Sequence, residues 1–200
     1  MIVPQGKMTF MSKVFANLFF QAFLAYSTAK AVIESKEMTE QTMRNSLTIF
    51  ISMLALIIAL TFFRFSTGVK FILFSLLSIL VGALMSSVKN LDKEALKEAL
   101  AGTIGIFVVM FLAGVASTQF NIDMVPIALG LFFVYLATLF VSFFKRGTSK
   151  IFVAIFSAFI LVETNLMLRK NYPGDFVNGS LDYFIDIVNL FTRLLSSNSE

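Results

Sequence analysis

Long apolar runs separated by short charged clusters dominate the chain. No charged residue interrupts 14–29, 45–63, 71–88, 99–122 or 124–144. A bilayer's hydrocarbon core of ~30 Å is crossed by about 20 residues of α-helix, so these runs predict five membrane spans. A sixth extends from Ile151 to Leu168, interrupted only by Glu163. A seventh, from Val177 to Leu195, is less apolar because it carries Asp182, Asp186, Asn189 and Arg193. Every backbone N–H and C=O inside lipid needs an internal partner, so each lipid-facing span must be helical. The pattern predicts an all-α membrane protein with seven transmembrane helices, at about 13–33, 45–64, 70–88, 98–117, 124–144, 150–168 and 177–195. All lie in one transmembrane domain, 1–200. Six spans with a re-entrant C-terminal segment is the alternative.

The connections are short. Glu34 to Arg44 joins the first two spans, Arg64 to Lys70 the next two, and Lys145 to Lys150 the fifth and sixth. None holds a soluble domain, so activity is expected within the membrane. The basic start (Lys7, Lys13) and the long run after it lead straight into further spans, which argues against a cleaved signal peptide. Asn90–Leu100 reads as a helical extension of the fourth span, with Asp92 as a cap and Lys89, Lys93 and Lys97 as a solvated stripe. NYPGDFVNG, from Asn171 to Gly179, is a turn signal before the last helix. In the fourth span Ala101, Gly102, Gly105, Ala113, Gly114 and Ala116 favour close helix packing in lipid; a glycine hinge for gating is the sharper reading.

Composition agrees with this pattern. Apolar residues make up 58% of the chain and charged ones 14%, against roughly half and a quarter in soluble domains, and mean hydropathy is +0.86. The net charge of +4 does not suggest nucleic-acid binding, since the basic residues punctuate apolar segments. Without cysteine, disulfides, iron–sulfur clusters and thiolate zinc sites are excluded. Without histidine, the commonest metal ligand and the usual switch near neutral pH are missing. No resident cofactor is expected, and any proton handling falls to carboxylates. The partners to expect are membrane lipids, protons and calcium ions.

Orientation follows from the basic residues. Lys7, Lys13, Arg64, Lys70, Arg169 and Lys170 lie on the N-terminal side of the membrane, against ten on the other, of the 16 in the chain. The positive-inside rule then places the N-terminus outside.

A charge near the middle of a span costs about 2.5–3.5 kcal/mol on insertion scales, so it usually faces the bundle interior and marks function. Glu163 lies about one turn from the end of the sixth span. Asp182 and Asp186 share a helix face at a spacing of four, and Asn189 and Arg193 continue it. Such a helix either lies on the membrane surface or stands inside a bundle. The stripe is acidic, unlike the basic faces of surface helices, and Glu163 is the natural partner. Carboxylates close together in low dielectric cannot all ionise; they share a proton and titrate as a unit. Their oxygens also suit a hard cation such as calcium, so Glu163 with Asp182 or Asp186 offers transient ligands, and the pattern favours a cation pathway over an enzyme.

At these residues the chain resembles the Bax inhibitor-1 (transmembrane Bax inhibitor motif) family. GDFVNGSLDYFIDIVNLFTRLL resembles the family's terminal signature, an Asp before an [IF]-[IV]-N-L-F run, and is fairly specific. FILVETNLM, ALIIALTFFR and KVFANLFF also fit, each a weak match alone. The resemblance spans about Lys13 to Ser196. It implies a seven-helix fold with the C-terminal helix central, wrapped by the other six, and a pH-sensitive calcium leak. Carried over, the sensor and gate would be Glu163 and Asp186, the latch Arg64, and the pore-lining candidates Asp182 and Asn189. Glu rather than Asp at 163 departs from the family pattern and puts the sensor's set point in question. The family topology has a cytosolic N-terminus, opposite to the charge count; a difference of four charges with a nearly uncharged fourth-to-fifth loop favours the family's arrangement.

The expectation is therefore a pH-sensitive, calcium-permeable channel or leak in a multi-pass membrane protein, with a bacterial plasma membrane favoured over endoplasmic reticulum by the short N-tail and compact loops. The alternative is a non-transporting regulator of cell death or membrane-protein stability acting through helix contacts. An intramembrane aspartyl hydrolase is a distant third, and no enzymatic activity is expected.

Overall fold

The computed structural model describes residues 5–86, 93–120, 122–142, 147–169 and 175–197. These form eight α-helices and no strand: α1 Gln5–Glu34, α2 Lys36–Arg44, α3 Ser46–Phe62, α4 Thr67–Ser86, α5 Lys93–Ser117, α6 Met124–Ser142, α7 Ser149–Arg169 and α8 Phe176–Ser197. Five are long and apolar enough to cross a membrane, and six if the bent pair α2–α3 counts as one span. The segment expected as a seventh span is helical as α8. Its 22 residues reach about 33 Å at 1.5 Å per residue, but its polar stripe leaves it outside the set that qualifies by length and composition.

The Glu34–Arg44 connection differs from expectation, because most of it is helix. Ser35 caps α2 by accepting from the Met38 N–H, with Glu37 in the first turn and Arg44 in the last, charges that complement the helix dipole. α2 meets α3 at a 70° bend. Alone, α3 has 17 residues, about 26 Å, slightly short of a bilayer core. The extension of the fourth span forms from Lys93 onward; the proposed Asp92 cap, Lys89 and residues 171–174 of the expected turn lie outside the described residues, while 176–179 of that turn are already the first turn of α8.

The described chain clusters into two compact units. One comprises Met8–Leu91 and Gly174–Phe184, the other Met1–Lys7, Asp92–Pro173 and Ile185–Glu200.

In the first unit, α3 packs on α4 and α2 touches both. α1 and α4 approach so closely at Gly82 that an added Cβ would overlap the Ala25 carbonyl. Phe20 and Phe71 stack at 5.4 Å. The first half of α8 packs on the same two helices. The Ser180 hydroxyl lies within hydrogen-bond reach of the Val14 and Phe176 carbonyls, Tyr183 stacks on Phe15, and Phe184 meets Phe74 edge-on at 5.1 Å. Asp175 fixes the helix start: Oδ1 accepts from the N–H groups of Val177 and Asn178. Its Oδ2 accepts from Thr67 and Lys70 on α4, and Lys70 also donates to Asn178.

In the second unit, α7 packs on both α5 and α6. A Cβ at Gly114 of α5 would stand 2.6 Å from Thr164 Cβ and 2.7 Å from the Leu161 carbonyl. Asn165 donates to Ser117 at 2.7 Å. Arg169 donates to the carbonyls of Thr118 and Ile122, tying the end of α7 to the segment leaving α5. The packing reading of the small residues holds at Gly114 and, through Leu194, at Gly102, whereas Gly105 has open space around it. α5 runs unbroken through these glycines.

Gly114→Val should destabilise the protein by about 1–3 kcal/mol, since overpacking meets backbone as well as side chain. Gly105→Val should change far less. Thermal unfolding in detergent compares the two, and equal melting points would contradict this packing.

Candidate functional site

The contact between Arg193 and Phe152 sets the register of the second unit's acids. The Arg193 guanidinium lies 4.0 Å from the centre of the Phe152 ring, so these two positions mark the facing sides of α7 and α8. Glu163 is eleven residues beyond Phe152, about three helical turns, and so returns to the same side of α7. Asp186 is seven residues before Arg193, about two turns, and returns to the same side of α8. Only six residues, 170–175, join α7 to α8, so the helices run antiparallel. At 1.5 Å per residue the two acids then differ in height by about 6 Å, roughly one turn. Facing helix sides thus carry one carboxylate each.

Burial fits an interior site. Asp186 is 6% exposed and Glu163 is half-buried; Glu163 Oε2 and Asp186 Oδ2 are sealed from water. Around them Phe156, Ile160 and Leu190 are buried. Among the described residues of α8 from Phe176 to Leu195, Thr192 alone is exposed. A helix lying on a membrane surface would present a whole face to water, so the burial favours the interior reading of the stripe.

The other expected positions are less concentrated. Asn189 is half-buried, and its amide donates to the Ile185 carbonyl of its own helix at 2.9 Å. Asp182 is half-buried on the same helical face but in the first unit. Arg64 lies exposed between α3 and α4. Among the described residues no three of His, Cys, Asp and Glu gather as a metal site. The pair can therefore offer a cation at most two carboxylates, whereas calcium takes 6–8 oxygens.

Residues 7–197 match the family model described as inhibitor of apoptosis-promoting Bax1. The chain belongs to the Bax inhibitor-1 family. The match takes in both units, and with them the acid pair and the α8 stripe. No curated protein matches the chain. The apolar helices and the family together make it an integral, multi-pass membrane protein.

Several residues at helix contacts lie outside the sequence-based set. Asn17, Gln21, Ser75 and Ser78 form a polar cluster between α1 and α4, and Asn165, Arg169 and Asp175 anchor helix ends. Single polar residues in apolar runs were the visible signal, but a lone Asn or Ser does not identify its partner.

The chain has no cysteine, so single substitutions report cleanly on environment. Asp186→Cys should label only with small water-soluble thiol reagents or not at all, while Thr192→Cys should react. Ready reaction at position 186 with a lipid-dissolved probe would place that face against the bilayer.

Proposed function

We propose that the protein is a passive, pH-sensitive calcium-permeable leak gated by protonation of Glu163 and Asp186. The observation that carries the reading is the placement of these acids on facing sides of α7 and α8, with Asp186 6% exposed in a chain without histidine. Two carboxylates close together in low dielectric hold a proton between them and release it as a coupled pair. Its loss leaves like charges on neighbouring helices, which separates them or admits a divalent cation. Calcium draws its remaining oxygens from water, which suits an ion in passage rather than one stored. Asp182 and Asn189 continue the stripe as pore-lining residues. Arg64 acts as a latch in this reading, which rests on its position in the family pattern. Compact loops between the spans suit a bacterial plasma membrane.

The family description as an inhibitor of apoptosis-promoting Bax1 supports a second reading, a non-transporting regulator acting through helix contacts. Calcium flux into liposomes containing the purified protein separates the two, since the regulator would be silent. Under the leak reading, Glu163→Gln with Asp186→Asn should flatten the dependence of flux on pH while the protein stays folded. Glu163→Asp should keep the dependence and move its midpoint. A double variant with the parent's full response would remove the pair from the sensor role.

Arg64→Ala should raise resting flux if Arg64 is the latch. Its exposure makes the substitution mild for folding, within about 0.5 kcal/mol. Unchanged resting flux would exclude the latch.

A further inference from the structure

The polar cluster between α1 and α4 is separate from the acid pair and belongs wholly to the first unit. Asn17 and Gln21 lie near the middle of α1, and Ser75 and Ser78 near the middle of α4, the depth at which a bilayer offers no water. Gln21 and Ser78 are 0% exposed and Asn17 is 5% exposed. Gln21 is fully used: its Nε2 donates to Asn17 Oδ1 and Ser75 Oγ, both at 3.2 Å. Its Oε1 accepts from the Ser78 hydroxyl at 2.9 Å. Asn17 is only half used, for its Nδ2 is buried and donates to nothing in the structure.

A buried amide N–H without an acceptor costs about 1–3 kcal/mol, and internal waters typically serve such groups with two to four hydrogen bonds. The rest of the cluster narrows what can bind there. It contains no charged side chain, so an ion would find no countercharge. Turning both amides over would leave the Asn17 carbonyl open in place of its N–H groups, and a water serves either orientation because it can accept or donate. α1 and α4 close on each other at Gly82 and Ala25, one turn along from Gln21, which excludes a bulky occupant. Ser180 supplies a second polar contact: its hydroxyl reaches the Val14 carbonyl at 3.0 Å, one turn before Asn17 on the same side of α1.

We infer that the Asn17 amide, with the Ser75 and Ser180 hydroxyls, binds an ordered water molecule at mid-membrane depth inside the α1–α4–α8 contact of the first unit. The site is a hydrated point independent of the carboxylates. Asn17 bonds only within its own helix, to Gln21, so a role as interhelical glue would not account for its open amide.

X-ray radiolytic footprinting of the intact protein tests this directly, because a bound water generates hydroxyl radical in place and marks side chains that bulk solvent never reaches. Leu18 and Phe74 flank the site and are 4% and 0% exposed; Val32 and Leu60, each 2% exposed and away from both polar sites, are the controls. The expected result is labelling of Leu18 and Phe74, carrying ¹⁸O after equilibration in H₂¹⁸O, with Val32 and Leu60 unmarked. Asn17→Leu should abolish that labelling without moving the controls. Absence of label at Leu18 and Phe74 in the parent protein would overturn the inference whether or not the variant folds. Label persisting in a folded Asn17→Leu protein would overturn the assignment to Asn17.

Discussion

A bilayer accepts a carboxylate near its centre only at a cost of several kcal/mol, unless the protein covers it. α8 carries Asp182, Asp186 and Arg193 on one side, so that side cannot face lipid and other helices must enclose it. This requirement explains why α7 and α8 are the most buried helices, whereas α3 and α6, which carry no charge, bury little. Of α3 only Leu60 is buried, and of α6 only Met124 and Thr138. Their outward Phe, Ile, Leu and Val side chains are compatible with lipid and need no protein cover. Arg193 answers the same constraint through the face of the Phe152 ring, where a cation is attracted by the ring's quadrupole. That contact also sets the register that aligns Glu163 with Asp186.

Between apolar helices in lipid there is little hydrophobic drive to associate, so contact depends on close packing and on hydrogen bonds worth about 0.6–2 kcal/mol each. Both devices occur in each unit. Gly82 admits the Ala25 carbonyl while Gln21 bonds to Ser75 and Ser78. Gly114 admits Thr164 and Leu161 while Asn165 bonds to Ser117. A small residue brings the backbones together, and a polar pair about one turn away fixes their register.

The helix ends use charge differently. Asp175 caps α8 and holds Thr67 and Lys70 of α4, and Arg169 collects the carbonyls of Thr118 and Ile122. These groups sit at helix ends, where the Lys70 and Asp175 side chains keep 14% and 26% of their surface exposed, and they restrain α7 and α8 from those ends.

Sequence alone determined the helical class, the membrane setting and the positions of most spans, because apolar runs uninterrupted by charge allow no other backbone in lipid. It also marked Glu163, Asp182 and Asp186, since an acid within an apolar run stands out in one dimension, and the family resemblance chose Glu163 and Asp186 among them. The helical α2 was legible in principle from its Ser35 cap and its end charges, but its span-to-span position suggested a loop. Which side of each helix met which neighbour lay outside the one-dimensional pattern. The alignment of the two acids depends on the Arg193–Phe152 contact, and the Asn17–Gln21–Ser78 cluster on the approach of α1 to α4. Those pairings join residues far apart in the chain, and in an all-apolar span the hydrophobic period that would point one face inward is absent. Only tertiary packing could decide them.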